Sequence, residues 1–187
     1  MSPSSLAHAL ERSGEPAPEP SWYACYTRSR HEKRVETMLC RGGFESFLPL
    51  VPRETQWKDR KKVVAWPLFP SYVFGRFRET EIHRVLGIPG LATVVRSNGR
   101  PVAIHPDEIE NVRCFANALV NAKVELVVRP FLAEGQWVRV KEGPFQGVKG
   151  VVVEQRNRRR VLIGLKAIGQ GLEVDFDVAL LEPLKGT

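Results

Sequence analysis

Lysine and arginine are the residues whose number and placement could do chemistry in this chain, and that chemistry is the binding of a polyanion. The 187 residues include 28 Lys and Arg against 21 Asp and Glu, a formal net charge of +7. Residues 21–119 hold 16 of the cations and 10 acidic residues, an excess of six. Clustered cations neutralise phosphates and release counterions, so this segment predicts salt-sensitive contact with nucleic acid.

Patterns typical of catalysis and of metal binding are missing from the sequence. Residues 143–150 lack the Gly-x-x-x-x-Gly-Lys-[Ser/Thr] spacing of a phosphate loop, no Gly-x-Ser-x-Gly elbow occurs, and the four histidines have no ligand spacing. Cys25, Cys40 and Cys114 form no Cys-x-x-Cys pair, so we expect reduced, largely buried thiols. We therefore predict a binding protein that is not an enzyme, with no cofactor and no metal.

The ends and the hydropathy of the chain predict a cytoplasmic protein. No apolar run approaches the ~18 residues that a membrane-spanning helix needs, so we expect no membrane contact. Residues 1–20 lack the basic start and apolar core of a signal peptide. They are rich in Pro, Ser, Ala and Glu, which predicts a disordered tail.

Residues 21–119 alternate strand and helix signals, which predicts one α+β domain that would position the cations. Residues 21–27 alternate as an aromatic strand. Ser29 and Glu32 form a capping box before an apolar stripe, which predicts a helix up to Gly42. Further patterns predict a strand at 44–51, an exposed charged hairpin at 53–64, a central aromatic strand at 66–77, a short helix at 79–86, a strand at 91–96 and a second main helix from Pro106.

Residues 131–187, after a linker at 120–130, predict a small β-barrel. Residues 137–141 alternate as a strand, 142–147 carry turn residues, and 148–153 return as a β-branched strand. A glycine inside that second strand indicates a bulge or a close backbone approach. The stretch resembles a KOW motif, which implies an SH3-like barrel, although a barrel hairpin without a ligand of its own is the alternative. The residues that carry the resemblance are Val138, Val140, Gly143, Pro144, Phe145, Gly147 and Gly150.

The first domain resembles the N-terminal (NGN) domain of the NusG family. The Trp22-Tyr23 start and the Leu68-Phe69-Pro70-Ser71-Tyr72-Val73-Phe74 strand stand at its two key places, and the KOW motif follows. The resemblance covers about residues 21–184 and implies an NGN-type α/β sandwich with an antiparallel sheet, then the KOW barrel. Within the family, the Trp66-Pro67-Leu68-Phe69-Pro70 entry looks similar to that of specialised paralogues such as the RfaH, LoaP and UpxY antiterminators, and residues 168–174 replace the ending that is familiar in housekeeping members.

The family resemblance implies a transcription elongation or antitermination factor that acts as a monomer. Its NGN domain would bind the clamp region of RNA polymerase and suppress pausing or termination, and its KOW domain would recruit a ribosomal protein or a termination factor. We expect Phe69 to be exposed because two prolines frame it, and we expect Val73 and Phe74 in the core. The polymerase-binding residues would be Leu68, Phe69, Pro70, Tyr72 and His83.

The basic face of the first domain would contact non-template DNA or nascent RNA. Tyr26 and His31 are candidates to contact a base, with a buried Tyr26 and a merely solvated helix face as the alternatives. An alternative function is that of an RNA-binding ribosomal or leader-RNA protein, acting through the KOW domain and the basic loop at 156–160. The candidate nucleic-acid-binding residues are Arg28, Arg34 and Arg41 by resemblance, and Arg53, Lys58, Arg60, Lys61 and Lys62 by the charge of the hairpin.

Overall fold

The computed structural model describes residues 19–57, 60–122, 127–130, 135–155 and 158–184. The helices there are α1 (Glu32–Arg41), α2 (Ile82–Leu86) and α3 (Pro106–Asn121). The strands of the first half are β1 (Ser21–Thr27), β2 (Glu45–Phe47), β3 (Leu50–Trp57), β4 (Arg60–Pro67), β5 (Tyr72–Phe77), β6 (Leu91–Val94), β7 (Arg96–Ser97), β8 (Arg100–Pro101) and β9 (Ala103–Ile104). Those of the second half are β10 (Val127–Pro130), β11 (Trp137–Val140), β12 (Lys149–Gln155), β13 (Arg158–Leu165), β14 (Gln170–Asp175) and β15 (Leu181–Pro183).

The first half is built on an antiparallel sheet in the order β2-β5-β1-β6, with β9 also paired to β1. Successive side chains of a strand point to opposite faces, so Trp22 and Tyr23 of β1 enter different cores. Trp22 packs in the core that contains Phe115 of α3. Tyr23 packs in the core that contains Val35 of α1 and Val85 of α2. Helices thus cover both faces of the sheet, and the predicted α+β sandwich is confirmed.

The segment predicted as one central strand is broken by a turn at residues 68–71, between β4 and β5. The turn directs Leu68 and Phe69 into the core, where only 1% of the Phe69 surface is exposed. The Phe69 ring meets Phe74 edge-on, with ring centroids 6.2 Å apart. The expectation of an exposed Phe69 is wrong because the flanking prolines interrupt strand pairing without turning the ring towards solvent. Val73 and Phe74 are fully buried, as predicted.

Helix α1 begins without the predicted capping box. His31 occupies the N-cap position, and no side chain caps the helix there. Glu32 is buried, and its Oε1 accepts a hydrogen bond of 2.8 Å from the backbone N–H of Ser71. The carboxylate therefore ties α1 to the turn before β5, a contact between distant parts of the chain that a local pattern does not reveal.

The described part of the second half forms an antiparallel sheet in the order β10-β14-β13-β12-β11-β15. Strand β10 pairs with β14, so residues 127–130, which the sequence assigns to the linker, belong to this sheet. Helix α3 also extends into the predicted linker, through Asn121. Of the predicted tail, residues 1–18 lie outside the described residues.

The residues of the KOW resemblance occupy the first hairpin of this sheet. Val138 and Val140 are buried in the core. A Cβ atom on Gly150 would lie 2.4 Å from Cγ1 of Val161, which confirms the predicted close approach. In the turn, Gly143 and Gly147 have φ angles of 88° and 87°, Pro144 is exposed and Phe145 is buried.

Helix α3 packs against the second half of the chain. The rings of Phe115 and Phe145 lie 5.6 Å apart between centroids. The side-chain amide of Asn111 donates to the carbonyl of Lys149 at 2.8 Å and accepts from the N–H of Lys149 at 2.7 Å. Aromatic packing and a pair of hydrogen bonds therefore join α3 to the second half.

The three cysteines differ in their surroundings. Cys25 is fully buried, and burial raises the pKa of its thiol to about 12. Cys40 of α1 and Cys114 of α3 are exposed, so the expectation that the thiols are largely buried is wrong for these two. None of the helices in the described ranges is long and apolar enough to cross a membrane.

Replacing Phe69 with alanine tests its place in the core. We expect Phe69→Ala to lower the free energy of unfolding by about 3–5 kcal/mol, because a fully buried ring is removed and a cavity remains. Chemical denaturation followed by circular dichroism measures this loss. Pro70→Ala, next to it and exposed, is the control and should cost much less; a Phe69→Ala protein as stable as wild type would contradict the assignment.

Candidate nucleic-acid and protein interface

Two tyrosines form an aromatic patch at one end of the first sheet. Tyr26 of β1 and Tyr72 of β5 are register partners, and their rings meet edge-on at 5.3 Å between centroids. Tyr26 is 42% exposed, which excludes the alternative of a buried Tyr26, and Tyr72 is partly buried. Partial burial, and to a lesser extent Tyr26, raise the pKa of the Tyr72 hydroxyl, so it stays neutral at physiological pH. With the exposed Pro70 beside Tyr72, these side chains offer a semi-polar aromatic surface.

The backbone of Ser71 fixes the position of this patch. Ser71 adopts the left-handed conformation, with φ at 66°. Its N–H donates to Glu32, and its carbonyl accepts the N–H of Thr27 at 2.8 Å. Because both polar groups of Ser71 are bound to other elements, the flanking Pro70 and Tyr72 are held in a defined orientation.

The structure brings together only part of the predicted polymerase-binding set. Pro70 and Tyr72 lie at the surface, whereas Leu68 and Phe69 are core residues that support them from below. His83 is exposed on α2. Since α2 covers the sheet face opposite to that of Tyr72, His83 does not join the patch.

The three cations assigned by resemblance are all exposed. Arg28 follows β1, and its backbone N–H bonds to the carbonyl of Gly90. Arg34 and Arg41 lie seven residues apart on α1, which places them on one side of the helix. His31 is half-buried, and its Nδ1 lies 3.0 Å from the carbonyl oxygen of Ser29. These positions are compatible with a basic surface along α1.

The hairpin formed by β3 and β4 contributes further cations. The guanidinium of Arg53 lies over the ring of Trp66, 5.4 Å from its centroid. Lys62 is exposed and, by strand alternation, shares a hairpin face with Trp66. Arg60 and Lys61 are residues of β4, and Lys58 lies outside the described residues.

A cleft that sequence reasoning missed lies between α1 and the base of this hairpin. It has a volume of about 480 Å³, and its lining includes Arg30, Lys33 and Trp66. Trp66 is 44% exposed. Strand alternation places Trp66 on the same face as the charged Lys62, which indicates an outward indole, but no local pattern indicates that α1 faces it.

The ion pairs of Arg160 argue against the alternative that the second half binds RNA through its basic loop. Its guanidinium pairs with Glu173 at 2.5 Å and with Asp175 at 2.6 Å, and the hydrogen bond to Glu173 is the main cause that raises the Arg160 pKa. This cation is therefore neutralised within the sheet of the second half. Arg158 and Arg159 lie in β13, and residues 156–157 lie outside the described residues.

Metal chemistry has no candidate centre in the part of the chain that the structure describes. No group of three or more His, Cys, Asp or Glu side chains converges there. The described candidate surfaces consist instead of aromatic rings and cations, which are groups that bind partners.

Comparison with known proteins identifies relatives of this chain. The family model described as "Transcription termination factor nusG" matches residues 20–113. The chain is 30% identical over 183 residues to the transcription termination/antitermination protein NusG of Deinococcus radiodurans, covering 83% of this chain and 95% of that protein. It is 28% identical to the protein of the same description from Treponema pallidum, covering 87% and 98%. A solved structure titled "Domain interaction in Thermotoga maritima NusG" aligns with a TM-score of 0.49 at 22% identity, covering 91% of this chain and 100% of that one.

Removing the Glu32 carboxylate tests how the patch is held. We expect Glu32→Ala to lower the free energy of unfolding by about 1.5–3 kcal/mol, because the Ser71 N–H loses a charged acceptor in a buried site. Glu32→Gln keeps an acceptor oxygen and should lose less. Urea denaturation measures both effects.

The matched control is Glu45→Ala, which removes an exposed glutamate whose 3.2 Å ion pair with Arg76 lies at the surface. Exposed pairs contribute about 0–1 kcal/mol, so this variant should stay near wild type. Equal losses in Glu32→Ala and Glu45→Ala would contradict the role given to the buried contact.

Proposed function

We propose that the first domain of this chain, which belongs to the NusG family of transcription termination and antitermination factors, binds RNA polymerase through the aromatic patch. The patch consists of Tyr26, Pro70 and Tyr72. The protein acts by binding and not by catalysis. The clamp region of the polymerase, which the family resemblance implies, is the surface that the patch would contact.

The observation that carries this proposal is the exposed aromatic pair on a rigid backbone. Tyr26 and Tyr72 present ring surface to solvent, and Ser71 anchors the segment between the sheet and α1. Aromatic side chains that are held before binding lose little conformational freedom, which is why they dominate the energetics of many interfaces.

The basic surface along α1 then lies on single-stranded nucleic acid next to the polymerase. Its members are Arg28, Arg34 and Arg41, with Arg53 and Lys62 on the hairpin. Their exposure supports contact with phosphates, which positions a protein without reading sequence. Non-template DNA and nascent RNA are the strands that the family resemblance implies.

The second half of the chain acts as a recruiting domain. We assign the first domain to residues 21–121 and the barrel to residues 127–184, following the helix and strand limits. A ribosomal protein or a termination factor is the partner that the resemblance implies for the barrel. The protein works as a monomer in the cytoplasm, where the polymerase acts.

Truncating the patch tests polymerase binding. We expect Tyr72→Ala to weaken the affinity for core RNA polymerase by about 2 kcal/mol, or roughly 30-fold, because a central aromatic anchor is lost. Biolayer interferometry with immobilised polymerase measures the change. Leu86→Ala removes an exposed apolar side chain, 38% of whose surface is accessible, from α2 and is the control. A Tyr72→Ala variant that folds and binds like wild type would refute the assignment.

We also propose that the chain is a specialised paralogue and not the housekeeping factor. The Trp66-Pro67-Leu68-Phe69-Pro70 entry supports this proposal by its similarity to specialised members, and residues 168–174 support it because they replace the ending familiar in housekeeping members. Residues 166–168 form a short 3₁₀ turn, and Gly169 with φ at 62° leads into β14. The relatives compared above are themselves described as NusG, so the experiment must separate the two classes.

Complementation tests the class. We expect the gene for this chain, expressed in its host after depletion of the housekeeping factor, not to restore growth, because a specialised paralogue serves few transcription units. Expression is checked by immunoblotting. Full restoration of growth at normal protein levels would assign the chain to the housekeeping class.

A further inference from the structure

We propose that the cleft between α1 and the hairpin of β3 and β4 receives one unstacked base of a single-stranded nucleic acid, stacked on Trp66. The inference rests on the proposed function in so far as that function brings a single strand to this side of the domain. It adds a base-binding site to a surface that otherwise offers only phosphate contacts.

The cleft combines an aromatic wall with a cationic wall. Trp66, Pro67 and Pro70 line one side, and Arg30 and Lys33 line the other. The volume of about 480 Å³ falls within the roughly 300–1,000 Å³ of pockets that bury small ligands. A planar base fits the first wall and a phosphate fits the second, so one nucleotide uses both.

The charges around the cleft favour an anionic ligand. Arg30 and Lys33 are both exposed, and Arg53 lies over the Trp66 ring. Glu32 also lines the cleft, but its Oε1 already accepts the Ser71 N–H. The cations thus outnumber the single carboxylate of the lining.

The exposure of Trp66 favours a single strand over a duplex. The indole is 44% exposed and lines the cleft. A base inside a duplex is stacked between its neighbours and does not reach such a ring, whereas an unpaired base stacks on it whatever its identity. An apolar peptide would use the indole but would leave the cations without partners.

Two of the three residues other than glycine that have a positive φ angle in the described part of the chain line this cleft. Arg30 and Ser71 have φ angles of 63° and 66°, and both line the cleft. Side chains other than glycine occupy the left-handed region at an energetic cost, and such residues are concentrated at binding sites. Arg30 lies just before α1 and Ser71 directly precedes β5, so the strained residues come from two different segments of the lining.

The probe is a 12-nucleotide oligothymidylate carrying a fluorophore, bound to the full-length protein at low salt and followed by anisotropy. We expect Trp66→Leu to weaken binding about tenfold, because stacking on one base is lost while the apolar bulk on the strand is kept. Trp66→Phe keeps a ring and should bind within about twofold of wild type. Trp137→Leu removes another exposed tryptophan, in β11, and is the matched control that should bind like wild type.

A salt series separates stacking on the base from binding to phosphates. Trp66→Leu should leave the slope of log affinity against log salt unchanged, because no cation is removed. Arg30→Ala/Lys33→Ala should reduce that slope by about 1.4, or about 0.7 for each phosphate that is no longer neutralised. Circular dichroism confirms that each variant is folded.

Three results would overturn the proposal. They are the absence of wild-type binding at low salt, equal binding of a 12-base-pair duplex, and a folded Trp66→Leu protein that binds like wild type. The assay contains no polymerase, so its outcome is independent of the polymerase-binding proposal. Retention of polymerase binding by Trp66→Leu would leave that proposal intact even if the cleft takes no base.

Discussion

The hydrogen bond from the Ser71 N–H to the buried carboxylate of Glu32 is the constraint on which the candidate surfaces depend. It joins the start of α1 to the turn between β4 and β5. Tyr72 of the aromatic patch follows this turn, the cleft with Trp66 lies next to it, and Pro70 borders both surfaces. Burial makes the bond costly to break, because the N–H would be left without a partner. A single hydrogen bond thus sets the geometry of two neighbouring surfaces.

The elements with strong local patterns could be predicted from the sequence. Alternation predicts β1, helical spacing predicts α1, and first-turn charge predicts the acidic start of α3. The close approach at Gly150 follows from the place of that glycine within a strand. The direction of Phe69 could not be predicted, since it depends on how the turn at 68–71 meets the core. The hydrogen bond between Glu32 and Ser71 could not be predicted either, because the sequence around Glu32 fits a capping box equally well. The cleft lies between α1 and the β3–β4 hairpin, which are separated in sequence, so it could be recognised only once the fold was known.

Charge alone is a poor guide to which cations are available. Arg160 and Arg28 contribute equally to the net charge of +7. Arg160 is engaged by two carboxylates on β14, whereas Arg28 is exposed beside α1. A cation that is already neutralised gains little from a phosphate, because the existing pair must be broken first. Pairing and exposure are therefore better guides to a nucleic-acid surface than a count of basic residues, and for these two residues they favour the first domain, where the sequence analysis also predicts that surface.

The contact between the two halves uses a residue that the KOW resemblance singles out. Phe145 packs on Phe115 of α3, and Asn111 binds the backbone of Lys149. Any molecule that binds the second half through the Phe145 ring must therefore compete with α3 for that ring. Neutral hydrogen bonds contribute about 1 kcal/mol each, and contacts between domains resemble transient interfaces. Buried side chains of both halves also belong to one hydrophobic cluster, so a partner that displaces α3 must replace this apolar packing as well as the Asn111 hydrogen bonds.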